Sequence, residues 1–285
     1  MANYDLSVVV PARNEIYLHK TISDLLTKAE GNIEVIVILD GYWPTPQLTE
    51  DSRLKIIHRG HPLGMRAAIN AGAAIAKGKY LMKCDAHCMF SQGYDRVLAN
   101  DYEKNWVIVP RRYALDPEKW ELLDNPKYPI DYMYLSVDLH GVPWNEKNKD
   151  PLLAEKFIDE TMSNQGSVWF MSKDYFHELE LMDEKTYGIF WNEFQEIGLK
   201  CWLSGGKVMV NKNAWYAHWH KPNSVGRGYS LGRTEQPKAQ EAVAKWKKKG
   251  WHKQTLPLSW LIERFWPVPT WTPELVENIR KENIK

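Results

Sequence analysis

Two continuously apolar runs, residues 6–10 (Leu-Ser-Val-Val-Val) and 33–39 (Ile-Glu-Val-Ile-Val-Ile-Leu), most constrain how this chain folds. A strand with one wet face alternates apolar and polar residues. A run apolar at nearly every position is covered on both faces, as parallel strands under crossover helices are. Between the two runs, residues 15–29 place Leu18, Ile22, Leu25, Leu26 and Ala29 at helical spacing, and Gly31 closes that helix. The pattern then recurs. Residues 54–57 read as a short strand, 65–77 as an Ala-rich helix capped by Gly78, and 80–84 as a strand that ends at Asp85. This order predicts an α/β fold, a mostly parallel sheet with helices on both faces. Ligands of such sheets sit beyond the carboxyl ends of the strands. Residues 11–15, Asp40 and residues 85–87 all fall at those ends.

The second half is less regular. Residues 111–151, rich in Trp, Tyr, Pro and Asp, read as long loops; 166–171 and 207–210 read as strands, 174–179 and 191–203 as helices. Past Lys221 regularity fades into an irregular extension carrying Trp246, Trp251, Trp260, Trp266 and Trp271.

Composition narrows the partners. Lys plus Arg number 37 against 36 Asp plus Glu, so the whole molecule has no bulk attraction for nucleic acid. Cys84, Cys88 and Cys201 form an odd, sparse set, which is no disulfide framework and suits a reducing compartment. The N-terminus lacks the basic and apolar regions of a signal peptide, and no apolar run is long enough to span a membrane. The expected setting is the cytoplasm, a host's in the case of a viral enzyme.

The chemistry begins at Asp85-Ala86-His87. At a strand end, residues i and i+2 share a side, so a carboxylate and an imidazole can grip one cation. Mn²⁺ suits such donors together with phosphate oxygens, with Mg²⁺ and Co²⁺ as alternatives. The triplet also serves as a plain capped turn. His218 and His220 show the same i, i+2 spacing after a later strand.

The ordered set of segments resembles the family-2-like GT-A glycosyltransferases. Residues 8–15 (Val-Val-Val-Pro-Ala-Arg-Asn-Glu) are similar to their opening strand and loop. Residues 36–41 are similar to their second strand, and 64–72 (Gly-Met-Arg-Ala-Ala-Ile-Asn-Ala-Gly) to the helix before their metal motif. Asp85-Ala86-His87 stands where these enzymes carry Asp-x-Asp. The His form, the stretch from Glu193 through Trp202 to Gly206, and His218 are most similar to the polypeptide N-acetylgalactosaminyltransferases.

The resemblance implies a GT-A catalytic domain over 1–220, with a nucleotide-binding half (1–110) and an acceptor and sugar half (111–220). A lid loop and extension would follow over 221–285. It implies a UDP-sugar donor and a divalent cation on Asp85, His87 and His218. Pro11, Arg13 and Glu15 would face the nucleotide, although Glu15 equally suits a helix N-terminus. Asp40 would accept from ribose or base, or simply form a turn with Gly41. Arg66 could reach the diphosphate or the acid beside the metal. Arg227 and Tyr229, among Gly226, Gly228 and Gly232, would belong to a loop folding over the nucleotide, or to an ordinary surface loop.

Glu193 and Glu196 are the candidate catalytic carboxylates, on a helix whose other reading is a solvated face. Inverting relatives carry their base at the position held here by Phe194. That departure, with the likeness to the N-acetylgalactosaminyltransferases, favours retention. The acceptor is expected to be a glycan or another small acceptor, with a hydroxymethylated base in phage DNA as the minority reading. Lysines 245, 247, 248, 249 and 253 among the tryptophans motivate the latter. Packing of those tryptophans on the domain is the commoner outcome. Two other functions compete. A nucleotidyltransferase would want a glycine-rich loop after the first strand, and residues 11–15 hold no glycine. A non-catalytic sugar- or nucleic-acid-binding module would not need a full metal set.

Overall fold

The computed structural model describes residues 4–222 and 226–284. Its strands are β1 (Leu6–Ala12), β2 (Ile33–Asp40), β3 (Leu54–Arg59), β4 (Tyr80–Cys84), β5 (Cys88–Phe90), β6 (Trp106–Asp116), β7 (Glu121–Leu122), β8 (Met133–Leu135), β9 (Gly141–Pro143), β10 (Ile158–Glu160), β11 (Val168–Ser172) and β12 (Lys207–His218). The main sheet runs β3-β2-β1-β4-β11-β6-β12-β10. β3, β2, β1 and β4 are parallel neighbours, as are β6 and β12; β11 lies antiparallel between β4 and β6. The mostly parallel α/β sheet expected from the sequence is present.

Alternate residues of β1 and β2 enter different cores, as the strand period requires. Val8, Val10, Val35 and Val37 share a cluster with Leu18, Ile22 and Leu25 of the helix Leu18–Lys28. Val9, Ile36 and Ile38 share the opposite cluster with Ala68, Ile69 and Ala73 of the helix Met65–Ile75. Small residues bring that second helix close: a Cβ on Gly72 would lie 2.5 Å from Val9 Cγ1.

The structure departs from sequence expectation in three places. Pro11 does not stop β1, which runs on to Ala12. Pairing with β4 has already ended at Val9–Lys83, so a residue lacking an N–H is tolerated there. The stretch 111–151 is not all loop: β6 continues to Asp116, and β8 and β9 form a small hairpin. Beyond Lys221, where regularity fades in the sequence, three helices form: Glu235–Ala244, Leu258–Arg264 and Pro273–Ile284. They are short, and the first buries only Ala239, Ala242 and Val243, so tertiary packing and not periodicity holds them. Trp246 and Trp271 are buried in the same core and donate to Tyr187 Oη and the Leu135 carbonyl, both at 2.8 Å. Trp251 donates to Glu180, and only Trp266 of the five is exposed.

The buried indole predicts its own cost. Trp246→Ala should destabilise the fold by about 3–5 kcal/mol in chemical denaturation. Lys249→Ala, three residues on and exposed, should stay within about 0.5 kcal/mol. Equal effects would mean that the extension is not part of the core.

Candidate functional site

A cleft of about 800 Å³ opens at the carboxyl ends of β1, β2 and β4, lined by Pro11, Arg13, Glu15, Asp40, Asp85, His87, Glu193 and His218 among others. Asp85 follows the last residue of β4, and His87 precedes the first of β5. β5 pairs antiparallel with the end of β12, setting His218 against Cys88, and the Trp219 amide donates to the His87 carbonyl at 3.1 Å. Backbone pairing thus carries a residue more than a hundred positions away to the Asp-x-His turn.

His218 Nε2 lies 3.1 Å and His87 Nε2 3.9 Å from Asp85 Oδ2. One ligand atom from each residue can be chosen so that all lie within 4.8 Å of one another. Adjacent octahedral ligands about 2.1 Å from an ion stand about 3 Å apart, so small adjustments would close this set on a cation. One carboxylate and two imidazoles form a donor set for a divalent transition metal. His218 Nδ1 is buried without a hydrogen-bond partner, and His87 Nδ1 is engaged by Glu15 at 3.0 Å. A carboxylate behind a ligating imidazole fixes its tautomer and orientation. Glu15 in turn takes a 2.7 Å ion pair from Lys221.

Burial shapes the charges. It pushes the His218 imidazole down to about 3, more than the hydrogen bond to Asp85 lifts it, so the ring is neutral and ready to ligate near neutrality. Burial alone would raise the Asp85 carboxyl, but Lys83, His218 and His87 together hold it well below the usual carboxylate range. Burial likewise opposes the Lys83 ammonium, and Asp85 and Glu193 outweigh it and hold it above the ordinary lysine value. The Glu193 carboxyl is raised by burial against the pull of Lys83.

The other expected residues divide. Arg13 stacks 4.7 Å from the Tyr229 ring centre, Asn14 Nδ2 donates to the Gly228 carbonyl at 2.7 Å, and Arg227 lies 4.6 Å from the Trp191 ring centre. The described part of the glycine-rich segment therefore borders the cleft; residues 223–225 of it lie outside the described residues. His220 also lines the cleft. Asp40 is there too, but it accepts from the Leu63 and Gly64 amides and from Arg59, so it organises the loop before the Met65–Ile75 helix.

Arg66 and Glu196, considered as catalytic and diphosphate-binding groups, are not brought to the cleft. Both are fully buried and pair with each other; Lys200 completes the Glu196 pairing at 2.7 Å, and Arg66 donates to the Trp191 carbonyl at 2.9 Å. The pair ties two helices together. The residue missed from sequence is Lys83. A lysine in the apolar strand Tyr-Leu-Met-Lys-Cys, two positions before Asp85, was the available signal, since a fully buried lysine needs partners.

Residues 7–180 match the Glycosyl transferase family 2 domain, and the chain belongs to that family. It is similar to polypeptide N-acetylgalactosaminyltransferase 5 of Caenorhabditis elegans, 23% identical over 223 residues, covering 72% of this chain and 35% of that protein. It is also similar to an uncharacterized glycosyltransferase of Haemophilus influenzae, 33% identical over 208 residues, covering 68% of this chain and 61% of that one. The chain thus spans less than two thirds of either relative's length. The crystal structure of GalNAc-T7 with UDP, GalNAc and Mn²⁺ matches 98% of this chain and 54% of its own at a TM-score of 0.68 and 16% identity, a likeness of fold.

Two outcomes follow from the charges. Glu196→Gln should leave divalent-cation affinity unchanged but cost about 3–5 kcal/mol of stability, because it strands buried Arg66; a lost cation site with an intact fold would reverse that assignment. The second concerns pH. His218 is depressed from 6.5 to about 3, so between those values the unfolded chain binds the extra proton and stability rises with pH. The metal-free protein should therefore lose stability as pH falls below about 6.5, and His218→Gln should flatten the profile of melting temperature against pH. An equally steep profile in the variant would contradict this.

Proposed function

We propose that the chain is a metal-dependent glycosyltransferase moving a sugar from a UDP-sugar to an acceptor hydroxyl, with Mn²⁺ as the cation and Mg²⁺ or Co²⁺ as substitutes. The observation that carries this is the convergence of Asp85, His87 and His218 in the cleft of a family-2 chain. UDP and Mn²⁺ are what the GalNAc-T7 structure holds, and the donor set here fits such an ion. When bound to Asp85, His87 and His218, the cation would offset the charge that develops on the leaving diphosphate.

The chain's own residues do the rest. Asp85 Oδ2 and the two imidazoles bind, and Glu15 orients His87. Pro11 and Arg13 face the base, and Asp40 shapes the ribose edge of the cleft with its remaining lone pairs. Arg227 and Tyr229 cover the nucleotide from the C-terminal segment, 221–285.

Retention is the proposed outcome. Phe194 is buried where inverting relatives place a base. Among the described residues, the four carboxylates lining the cleft are all committed: Glu15 to His87 and Lys221, Asp40 to Arg59 and two amides, Asp85 to Lys83 and His218, and Glu193 to Lys83 and Trp169. With no uncommitted carboxylate among the described residues of the cleft, the acceptor proton would pass to the departing diphosphate.

The proposed acceptor is a glycan or other small hydroxyl compound. Four of the five C-terminal tryptophans pack on the fold, which takes away most of the stacking platform a DNA acceptor would use. No helix of the described residues is long and apolar enough to cross a membrane, and a cytoplasmic setting is proposed.

Calorimetry with UDP, with and without Mn²⁺, tests the core of this. Asp85→Ala should abolish the metal-dependent part of binding and lower transfer by roughly a hundredfold or more. Unchanged UDP affinity with and without Mn²⁺ in the unsubstituted protein would overturn the proposal, as would a clear preference for GDP, CDP or TDP.

A further inference from the structure

Lys83, beside the cleft, is fully committed. Its side chain is 1% exposed, and its three N–H donors meet three acceptors: Asp85 Oδ1 at 2.7 Å, the Gly166 carbonyl at 2.6 Å and Glu193 Oε2 at 3.1 Å. The Asp85 carboxylate is thereby divided. Oδ1 belongs to the ammonium, and Oδ2 faces the two imidazoles. Glu193 is held on the other side of the same ammonium. Its second oxygen, Oε1, accepts from Trp169 Nε1 at 2.7 Å, and Gly166 closes in behind, since a Cβ there would lie 2.5 Å from Glu193 Oε2. Two carboxylates thus share one buried cation, and only a single oxygen of the pair is left towards His87 and His218.

That division bears on which cation the site accepts. Calcium takes six to eight oxygen ligands and favours bidentate carboxylates, whereas one carboxylate oxygen with two imidazoles suits transition cations. Without the ammonium, a divalent ion would face two carboxylates that have lost their shared cationic partner. Asp85 would be free to ligate through both oxygens, and Glu193 to swing in and add more.

We propose that Lys83 is a positioning residue for cation selectivity: it restricts Asp85 to one-oxygen ligation and holds Glu193 out of the coordination sphere, disfavouring Ca²⁺ against Mn²⁺. The proposal rests on the metal site described above. It differs from a purely structural role, which would lower the affinities for both ions together and leave their ratio alone.

The test is titration of the full chain with Mn²⁺ alone and Ca²⁺ alone, following folding by thermal melting. The unsubstituted protein should bind Mn²⁺ more tightly. In Lys83→Met the ratio of the Ca²⁺ to the Mn²⁺ dissociation constant should fall about tenfold or more, the scale on which groups behind the ligands tune a metal. Adding Glu193→Gln to that variant should restore part of the ratio, the part Glu193 contributes, and Lys83→Arg should keep it. A ratio unmoved by Lys83→Met, or moved but not rescued by Glu193→Gln, overturns the inference and leaves the metal site standing. Failure of the unsubstituted protein to bind Mn²⁺ overturns both. Should Lys83→Met not fold, Glu193→Gln alone decides. The ammonium then bears on Asp85 undivided, so Mn²⁺ affinity should drop several-fold, while water-proton relaxation of the bound Mn²⁺ stays the same because Glu193 is not a ligand. Unchanged affinity, or altered relaxation, refutes it.

Discussion

The register of β12 against its neighbours is the constraint on which the site depends. His218 stands opposite Cys88 of β5 and Ala114 of β6, and each pairing is fixed by backbone hydrogen bonds. Successive strand residues face opposite sides, so a one-residue slip would turn His218 away from Asp85 and take Tyr216 out of the cluster it shares with Phe90 and Tyr94. The buried apolar residues of β12 therefore select the register, and the imidazole is delivered by it. His87 is placed by the same pairing, and Glu15 holds its ring. It precedes β5 directly, and its carbonyl is tied to the Trp219 amide. The cluster of Asp85, His87 and His218 is a product of sheet pairing, held by many weak interactions and not by the side chains alone.

Charge compensation is the second layer. A cleft with four carboxylates would repel a nucleotide and cost much to bury, and each of them is answered locally. Lys83 answers two at once, Lys221 and His87 answer Glu15, and Arg59 with two amides answers Asp40. The near-balance of acids and bases in the composition is the bulk shadow of this pairing. Arg66 and Glu196 obey the same rule in the core, where they join the Met65–Ile75 helix to the helix Glu193–Leu203.

What could be read in the sequence follows from this hierarchy. The first four strands are legible because their apolar runs are nearly unbroken, the two helices from their helical spacing and small residues, and Asp85 and His87 because two residues at one strand end share a side. β12 was legible only to Val210. The polar run Asn211-Lys212-Asn213 reads as a strand break, whereas in the structure residues 212–214 bulge between the pairs Asn211–Pro110 and Trp215–Arg111 and the strand resumes. Arg66 and Glu196 lay in the segments read for the site, and the structure buries them against each other away from the cleft. Nothing in either segment shows that a partner 130 residues away will neutralise it in the core. Lys83 was hidden for the same reason, since its meaning lies in Gly166 and Glu193, which only the closed sheet brings near.

The C-terminal helices complete the argument, because they act on the helix that presents Glu193. That helix, Glu193–Leu203, is buried along almost its whole length, between the sheet on one side and the extension on the other. Trp202 near its end packs against Trp260 and Phe265, with ring centres 6.3 and 5.4 Å away. The amides of Thr255 and Leu256 both donate to the Leu203 carbonyl at its C-terminus, one of the acceptors a helix end leaves open. Glu193 at the first position and these contacts at the last belong to one rigid element about 16 Å long at roughly 1.5 Å per residue. A segment that looks peripheral in sequence thus fixes one end of a lever whose other end is the carboxylate beside Lys83.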